Sequence, residues 1–145
     1  MNTIRVSREF TFEAAHMLEG HDGACKNLHG HSYKLTVTLR GKPLKDDHSP
    51  KNGMLIDFKI MGDLVKREVI DPLDHALICK AHQFPEISQK KYILEQQPTC
   101  ENLIIEIANK IKNQLPENVQ LVKLKLHETA KNYCEWLLED NLSER

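Results

Sequence analysis

Residues 29–43 read HGHSYKLTVTLRGKP, and the alternation inside that phrase decides the architecture. His29, His31, Tyr33, Leu35, Val37 and Leu39 take every second position, which on a pleated strand sends them to one face. Arg40-Gly41-Lys42-Pro43 is a breaker that ends the run. Upstream, Ile4, Val6, Arg8, Phe10, Phe12, Ala14 and His16 alternate in the same way, so a second strand leads into His16. With the pleat maintained, His16 leans toward its apolar face.

Downstream, Leu44 to Gly53 is polar and reads as a surface loop, with Met54 to Ile56 as a brief return to strand. Asp57 caps a predicted helix with the apolar face Phe58, Met61, Val65 and Val69, stopping before Pro72. Thr99 caps a second, with the stripe Leu103, Ile107, Ile111 and Leu115 and a stop at Pro116. Val122, Leu124, Leu126 and Glu128 alternate again, and Tyr133 to Leu138 supplies a last strand. The order ββααββ predicts an α+β fold, a four-stranded antiparallel sheet with both helices on one face. Its second face, expected to be partly apolar, needs cover, and its free edges make it a candidate for self-association. The stretch from Cys79 to Gln97, CKAHQFPEISQKKYILEQQ, has no clean period and reads as a long excursion.

The chain has 145 residues, the size of one ordinary domain spanning 1–145. Charged residues make up 28% of it yet nearly cancel, to a net charge of −1, so no global field favours nucleic acid or an anionic membrane. The opening MNTIRVSREF lacks the apolar stretch of a signal peptide, and no run approaches the roughly 18 apolar residues of a membrane span. A cytoplasmic protein is the expectation. Cys25, Cys79, Cys100 and Cys134 are scattered without a Cys-x-x-Cys pair, which argues against a disulfide framework or a cysteine-rich zinc site.

Residues two apart on a strand have Cα atoms roughly 6.5 to 7 Å apart, so His29 and His31 can aim both imidazoles at one point. A neighbouring strand ending at His16 delivers a third nitrogen. Three protein ligands leave one position of a tetrahedral zinc ion open, which marks a catalytic site rather than a structural one. Spacing alone does not decide between this and ordinary strand histidines.

The phrases FTFEAAH (10–16) and EGHDGACKNLHGHSY (19–33) resemble the signature of the pterin-forming synthases, the family of 6-pyruvoyl-tetrahydropterin synthase and bacterial 6-carboxy-5,6,7,8-tetrahydropterin synthase. GMLIDF (53–58), PLDHALI (72–78), PTCENL (98–103) and HET (127–129) follow in the family's order. The resemblance implies the tunnelling fold, in which sheets join edge to edge into a trimeric β-barrel and two trimers stack into a homohexamer. It implies Zn2+ on His16, His29 and His31, Cys25 as the catalytic cysteine, and Asp74 and His75 as its proton-transfer partners from a neighbouring subunit. Glu128 becomes the anchor of the pterin ring. Thr99 and Glu101 become pterin contacts, although capping and first-turn charge account for them equally. Cys79, Cys100 and Cys134 are left as structural, and His21, His48, His82 and His127 as surface or supporting groups.

The implied substrate is 7,8-dihydroneopterin triphosphate, with Lys26, Arg5, Arg8 and Lys34 as candidate phosphate cations. The compact Cys-x3-His-Gly-His spacing and the IDF phrase resemble the bacterial carboxy enzyme of 7-deazapurine (queuosine) synthesis, a zinc-dependent lyase that also releases acetaldehyde. The alternative is a 6-pyruvoyl-tetrahydropterin synthase, which stops before side-chain cleavage. A non-catalytic zinc-binding scaffold is more remote, because Cys25, His75 and Glu128 are all present, and a pterin aldolase of the same fold has no need of zinc. Two departures from the family pattern are the length of the 79–97 excursion and the tail from Asn132 onward.

Overall fold

The computed structural model describes residues 1–142, so residues 143–145 of the expected 1–145 domain lie outside the described residues. Strands β1 (Ile4–His16) and β2 (His29–Gly41) form an antiparallel ladder that runs without slip from Ile4 opposite Gly41 to His16 opposite His29. The register has a physical cause. Phe10, Phe12 and Ala14 of β1 and Tyr33, Leu35, Val37 and Leu39 of β2 are all buried on one face, and a slip of one residue would turn either set to water. Arg8 breaks the apolar alternation but keeps the parity: its Nη1 donates to the Phe58 carbonyl at 2.8 Å. The guanidinium fills the space over Gly62, where any side chain would collide with it.

Helix α1 (Phe58–Val65) is capped by Asp57, whose carboxylate accepts from the Lys59 N–H at 2.9 Å. It does not stop before Pro72 as the sequence suggests. It runs on through a widened turn, Lys66–Ile70, and a last turn, Asp71–Leu73. Pro72 has no N–H, so the Glu68 carbonyl loses its helical donor; Lys110 Nζ replaces it at 3.3 Å. Phe58 is exposed, and the buried stripe begins instead at Met61. Helix α2 (Cys100–Lys112) has the expected cap, Thr99 Oγ1 accepting from the Asn102 N–H at 3.1 Å. Its stripe of Leu103, Ile107 and Ile111 is fully buried, each side chain contributing about 1.5–3 kcal/mol of burial.

The expected four-stranded, wholly antiparallel sheet is corrected. Two short strands, β3 (Ala76–Cys79) and β4 (Lys91–Ile93), join β5 (Gln120–His127) and β6 (Tyr133–Leu137) in a mixed six-stranded sheet of order β4-β3-β1-β2-β5-β6. β3 pairs parallel with β1 at Ala14 and Ala15, and β4 parallel with β3. All four residues of β3 are buried, so it carries no alternation to read, and β4 is shorter still. Residues 54–56 form no strand; the Leu44 N–H donates to the Met54 carbonyl at 2.9 Å and closes a loop instead.

The sheet's second face is partly apolar, as expected: the register sets Tyr133 and Leu137 of β6 on it, among polar pairs. Ser7 and Thr38 share a hydrogen bond of 2.7 Å, and Lys34 pairs with Glu9 at 3.2 Å and Lys123 with Glu135 at 2.9 Å. Its long edges are open among the described residues: β1 meets β3 only at its last turn of pairing, and β6 is an outer strand. No helix among these residues is long and apolar enough to cross a membrane.

Candidate metal centre

The last rung of the β1–β2 ladder is His16 opposite His29, and His31 stands two residues along β2 on the same face. The ladder brings the three rings together. His16 Nε2 lies 3.1 Å from His29 Nε2 and 3.1 Å from His31 Nε2, and one donor atom from each residue falls within 4.8 Å of the others.

The tautomers follow from the acceptors. A carbonyl can only accept, so His16 Nδ1 donates to the Pro98 carbonyl at 2.7 Å and His29 Nδ1 to the Asn27 carbonyl at 2.6 Å. Each therefore turns a bare Nε2 lone pair toward the other, a repulsive arrangement unless a cation stands between them. Nitrogens bound at about 2.0–2.1 Å around a tetrahedral zinc ion are themselves roughly 3.3 Å apart. The donor set thus fits a divalent metal, with backbone carbonyls fixing two of the rings from behind. Burial holds the pKa of His16 and His31 below the ordinary imidazole value, favouring the neutral ligand form.

Glu128 follows the last residue of β5, with its Oε1 3.3 Å from His31 Nε2. Its backbone N–H donates to the Asn132 carbonyl at 3.0 Å, so the turn into β6 fixes its direction. Tyr33 lies beneath His31, with its ring stacked on Phe12 at 4.9 Å and its buried hydroxyl without a hydrogen-bond partner among the described residues. Burial pushes that phenol far above its usual range.

Cys25 sits in a single helical turn, Ala24–Lys26, of the loop that joins the two ladder strands. The loop is tied across by the Leu18 N–H donating to the Cys25 carbonyl at 2.8 Å. Its other anchor was not legible in the sequence. Gln97 Nε2 donates to the Glu19 carbonyl at 3.0 Å, and Lys80 and His82 stand 3.9 and 3.4 Å from the Glu19 carboxylate. The 79–97 excursion therefore braces the Cys25 loop.

Asp74 and His75 do touch. His75 Nδ1 is 3.1 Å from Asp74 Oδ1, and that oxygen also accepts from the Glu13 N–H at 2.9 Å. These donors, the backbone one foremost, hold the Asp74 carboxyl below its ordinary range. His75 adopts the left-handed φ of 62°, an uncommon conformation for a residue with a side chain. Lys90 secures the turn by donating to the Asp74 carbonyl at 2.7 Å, a role that the irregular run around it gave no reason to expect. The His75 ring is exposed and lines a cleft of about 330 Å³ with Glu13, Gly30, His31 and Ser32. No hydrogen bond joins Cys25 to Asp74 or His75 among the described residues. Thr99 is engaged as a helix cap and Glu101 is exposed.

The profile of the 6-pyruvoyl tetrahydropterin synthase family matches residues 5–139. The chain is 35% identical to a 6-carboxy-5,6,7,8-tetrahydropterin synthase of Haemophilus influenzae over 92% of its own length and 98% of that protein. It is 29% identical to the 6-pyruvoyl tetrahydrobiopterin synthase of Drosophila melanogaster over 88% of its length and 75% of the relative. The solved 6-pyruvoyl tetrahydropterin synthase of Caenorhabditis elegans superimposes with a TM-score of 0.72 at 26% identity, covering 94% of this chain and 96% of the other. The three converging histidines at the end of a registered ladder, the matched span and the shared architecture agree, and the chain belongs to the 6-pyruvoyl tetrahydropterin synthase family.

Proposed function

We propose that the chain is a zinc-dependent lyase converting 7,8-dihydroneopterin triphosphate to 6-carboxy-5,6,7,8-tetrahydropterin, with release of acetaldehyde and triphosphate, in 7-deazapurine (queuosine) synthesis. The observation that carries this reading is the meeting of His16, His29 and His31 through ring nitrogens whose opposite sides are fixed on backbone carbonyls. Near-complete coverage of the Haemophilus carboxy enzyme supports the choice of product.

Zinc, when bound, supplies Lewis acidity toward a side-chain oxygen of the substrate. The remaining tasks fall to the chain's own groups. Cys25 takes the proton from the side-chain carbon. Asp74 holds the His75 Nδ1–H, which leaves Nε2 to receive and return protons as triphosphate departs. Glu128 accepts the paired N–H groups of the pterin ring, with Thr99 and Glu101 as further contacts. Among the four candidate phosphate cations, Lys34 is paired with Glu9, Arg8 is spent on the Phe58 carbonyl and Arg5 stands opposite Arg40 at the far end of the ladder from the histidines, whereas Lys26 is exposed in the Cys25 loop. Lys26 is therefore the proposed triphosphate contact.

The chain acts as one domain within a homohexamer of two stacked trimers. The open edges of β1 and β6 support edge-to-edge assembly into a barrel. The exposure of the His75 ring supports delivery of the Asp74–His75 pair by a neighbouring subunit.

The test is incubation of zinc-loaded protein with 7,8-dihydroneopterin triphosphate, mass identification of the pterin and an assay for acetaldehyde. The carboxy pterin with stoichiometric acetaldehyde is expected. The pyruvoyl pterin without acetaldehyde would assign the chain to the other activity found in the family. Zinc binding with no turnover would leave only a scaffold.

A further inference from the structure

The sequence scatters its four cysteines, but the fold brings two of them together. Cys100 opens α2 and Cys134 is the second residue of β6, 34 positions later, yet their sulfurs are 3.1 Å apart. Both are held in place. Cys134 stands opposite Leu126 in the β5–β6 ladder, the Cys100 thiol reaches the Leu126 carbonyl at 3.5 Å, and the Cys134 thiol reaches the Cys100 carbonyl at 3.4 Å. The Thr99 cap fixes the helix end from which Cys100 projects. Neither thiol belongs to the histidine cluster.

We propose that Cys100 and Cys134 are a site of reversible disulfide formation, with hydrogen peroxide as the oxidant. Cys134 is the attacking thiol because it is only half-buried, while Cys100 is almost wholly enclosed. At 3.1 Å either sulfur reaches the other, so exposure selects Cys134 as the thiol that a peroxide meets first. Cys134 Sγ attacks one peroxide oxygen, so an S–O bond forms and the O–O bond breaks, and the departing hydroxide takes the thiol proton and leaves as water. Cys100 Sγ then attacks the sulfenic sulfur. The S–S bond forms, and the displaced hydroxide leaves with the Cys100 proton as a second water. Two thiols are oxidised and one peroxide is reduced.

The bond would tie the start of α2, next to Thr99, to the strand that returns from Glu128. That these are ring-binding elements rests on the pterin reading; the disulfide does not. The experiment therefore reads covalent state and not turnover. Zinc-loaded protein is treated with a stoichiometric amount of hydrogen peroxide, quenched, denatured, alkylated with N-ethylmaleimide, digested with trypsin and mapped by mass. The expected result is joint loss of the adducts on Cys100 and Cys134, with a linked peptide pair lighter by two hydrogens than the sum of its parts and recovery of both adducts after dithiothreitol. In the Cys100→Ser protein the expected product is a Cys134 sulfenic acid trapped by dimedone. Retention of both adducts while Cys25 is oxidised would overturn the proposal, as would linkage found only between chains on a non-reducing gel.

Discussion

The two ends of the proposed chemistry are built on opposite principles. The histidine end sits on the last rungs of an unbroken 13-residue ladder, with His16 buried and its ring pinned by a carbonyl. The proton-transfer end is carried by a loop and a turn: Cys25 is half-buried, and His75 stands in solvent at a left-handed φ. A metal needs several donors held at fixed separations, which strands provide. A base needs access to a substrate and a partner, which loops provide. The difference indicates that binding of metal and movement of protons are separable by mutation.

The largest effect should come from the rigid end. His29→Ala removes one of three converging nitrogens, and the expected outcome is loss of nearly all bound zinc and of turnover by ~10³-fold or more, read by metal analysis and single-turnover kinetics. Cys25→Ala is expected to keep one zinc per chain and lose about 10²–10⁴-fold of turnover, the usual share of a proton-transfer group. An active Cys25→Ala enzyme would overturn the base assignment, and loss of zinc with Cys25 would collapse the distinction between the two ends.

The same contrast explains what could be read in advance. Alternation over 13 residues made β1, β2 and the convergence of His16, His29 and His31 legible, because long half-buried strands write their burial into every second residue. β3 was not legible, since ALIC is buried at all four positions, and neither were the contacts of Lys90 and Gln97, because such tertiary hydrogen bonds impose no period. Helix α1 outran its expected stop because Lys110, far along the chain, satisfies the carbonyl that Pro72 leaves open. The pairing of Cys100 with Cys134 was hidden for a similar reason: no local spacing records the meeting of a helix start with an edge strand.

A smaller effect sharpens the exposed end. Asp74→Asn keeps an acceptor for the Glu13 N–H but removes the charge facing His75, as protonation of Asp74 itself would. Because the folded state holds the Asp74 pKa below its ordinary value, its ionised form stabilises the fold above the unfolded carboxylate pKa, and that contribution is lost as pH falls through the depressed value. The difference in Tm between wild type and Asp74→Asn should therefore be present at neutral pH and vanish in strong acid. A difference constant across that range would mean that charge has no part in the turn.

The smallest effect separates a structural from a chemical role for Thr99. Its Oγ1 accepts from the Asn102 N–H at 3.1 Å, so Thr99→Ala leaves that donor uncapped and should cost about 1 kcal/mol in denaturant unfolding. Thr99→Ser retains the hydroxyl and should recover most of that loss. A cap alone shifts stability and leaves KM for the pterin unchanged under conditions where both variants are folded. Contact with the ring would raise KM in Thr99→Ala and restore it in Thr99→Ser, which would extend the substrate surface from Glu128 across to the start of α2, where Cys100 meets Cys134.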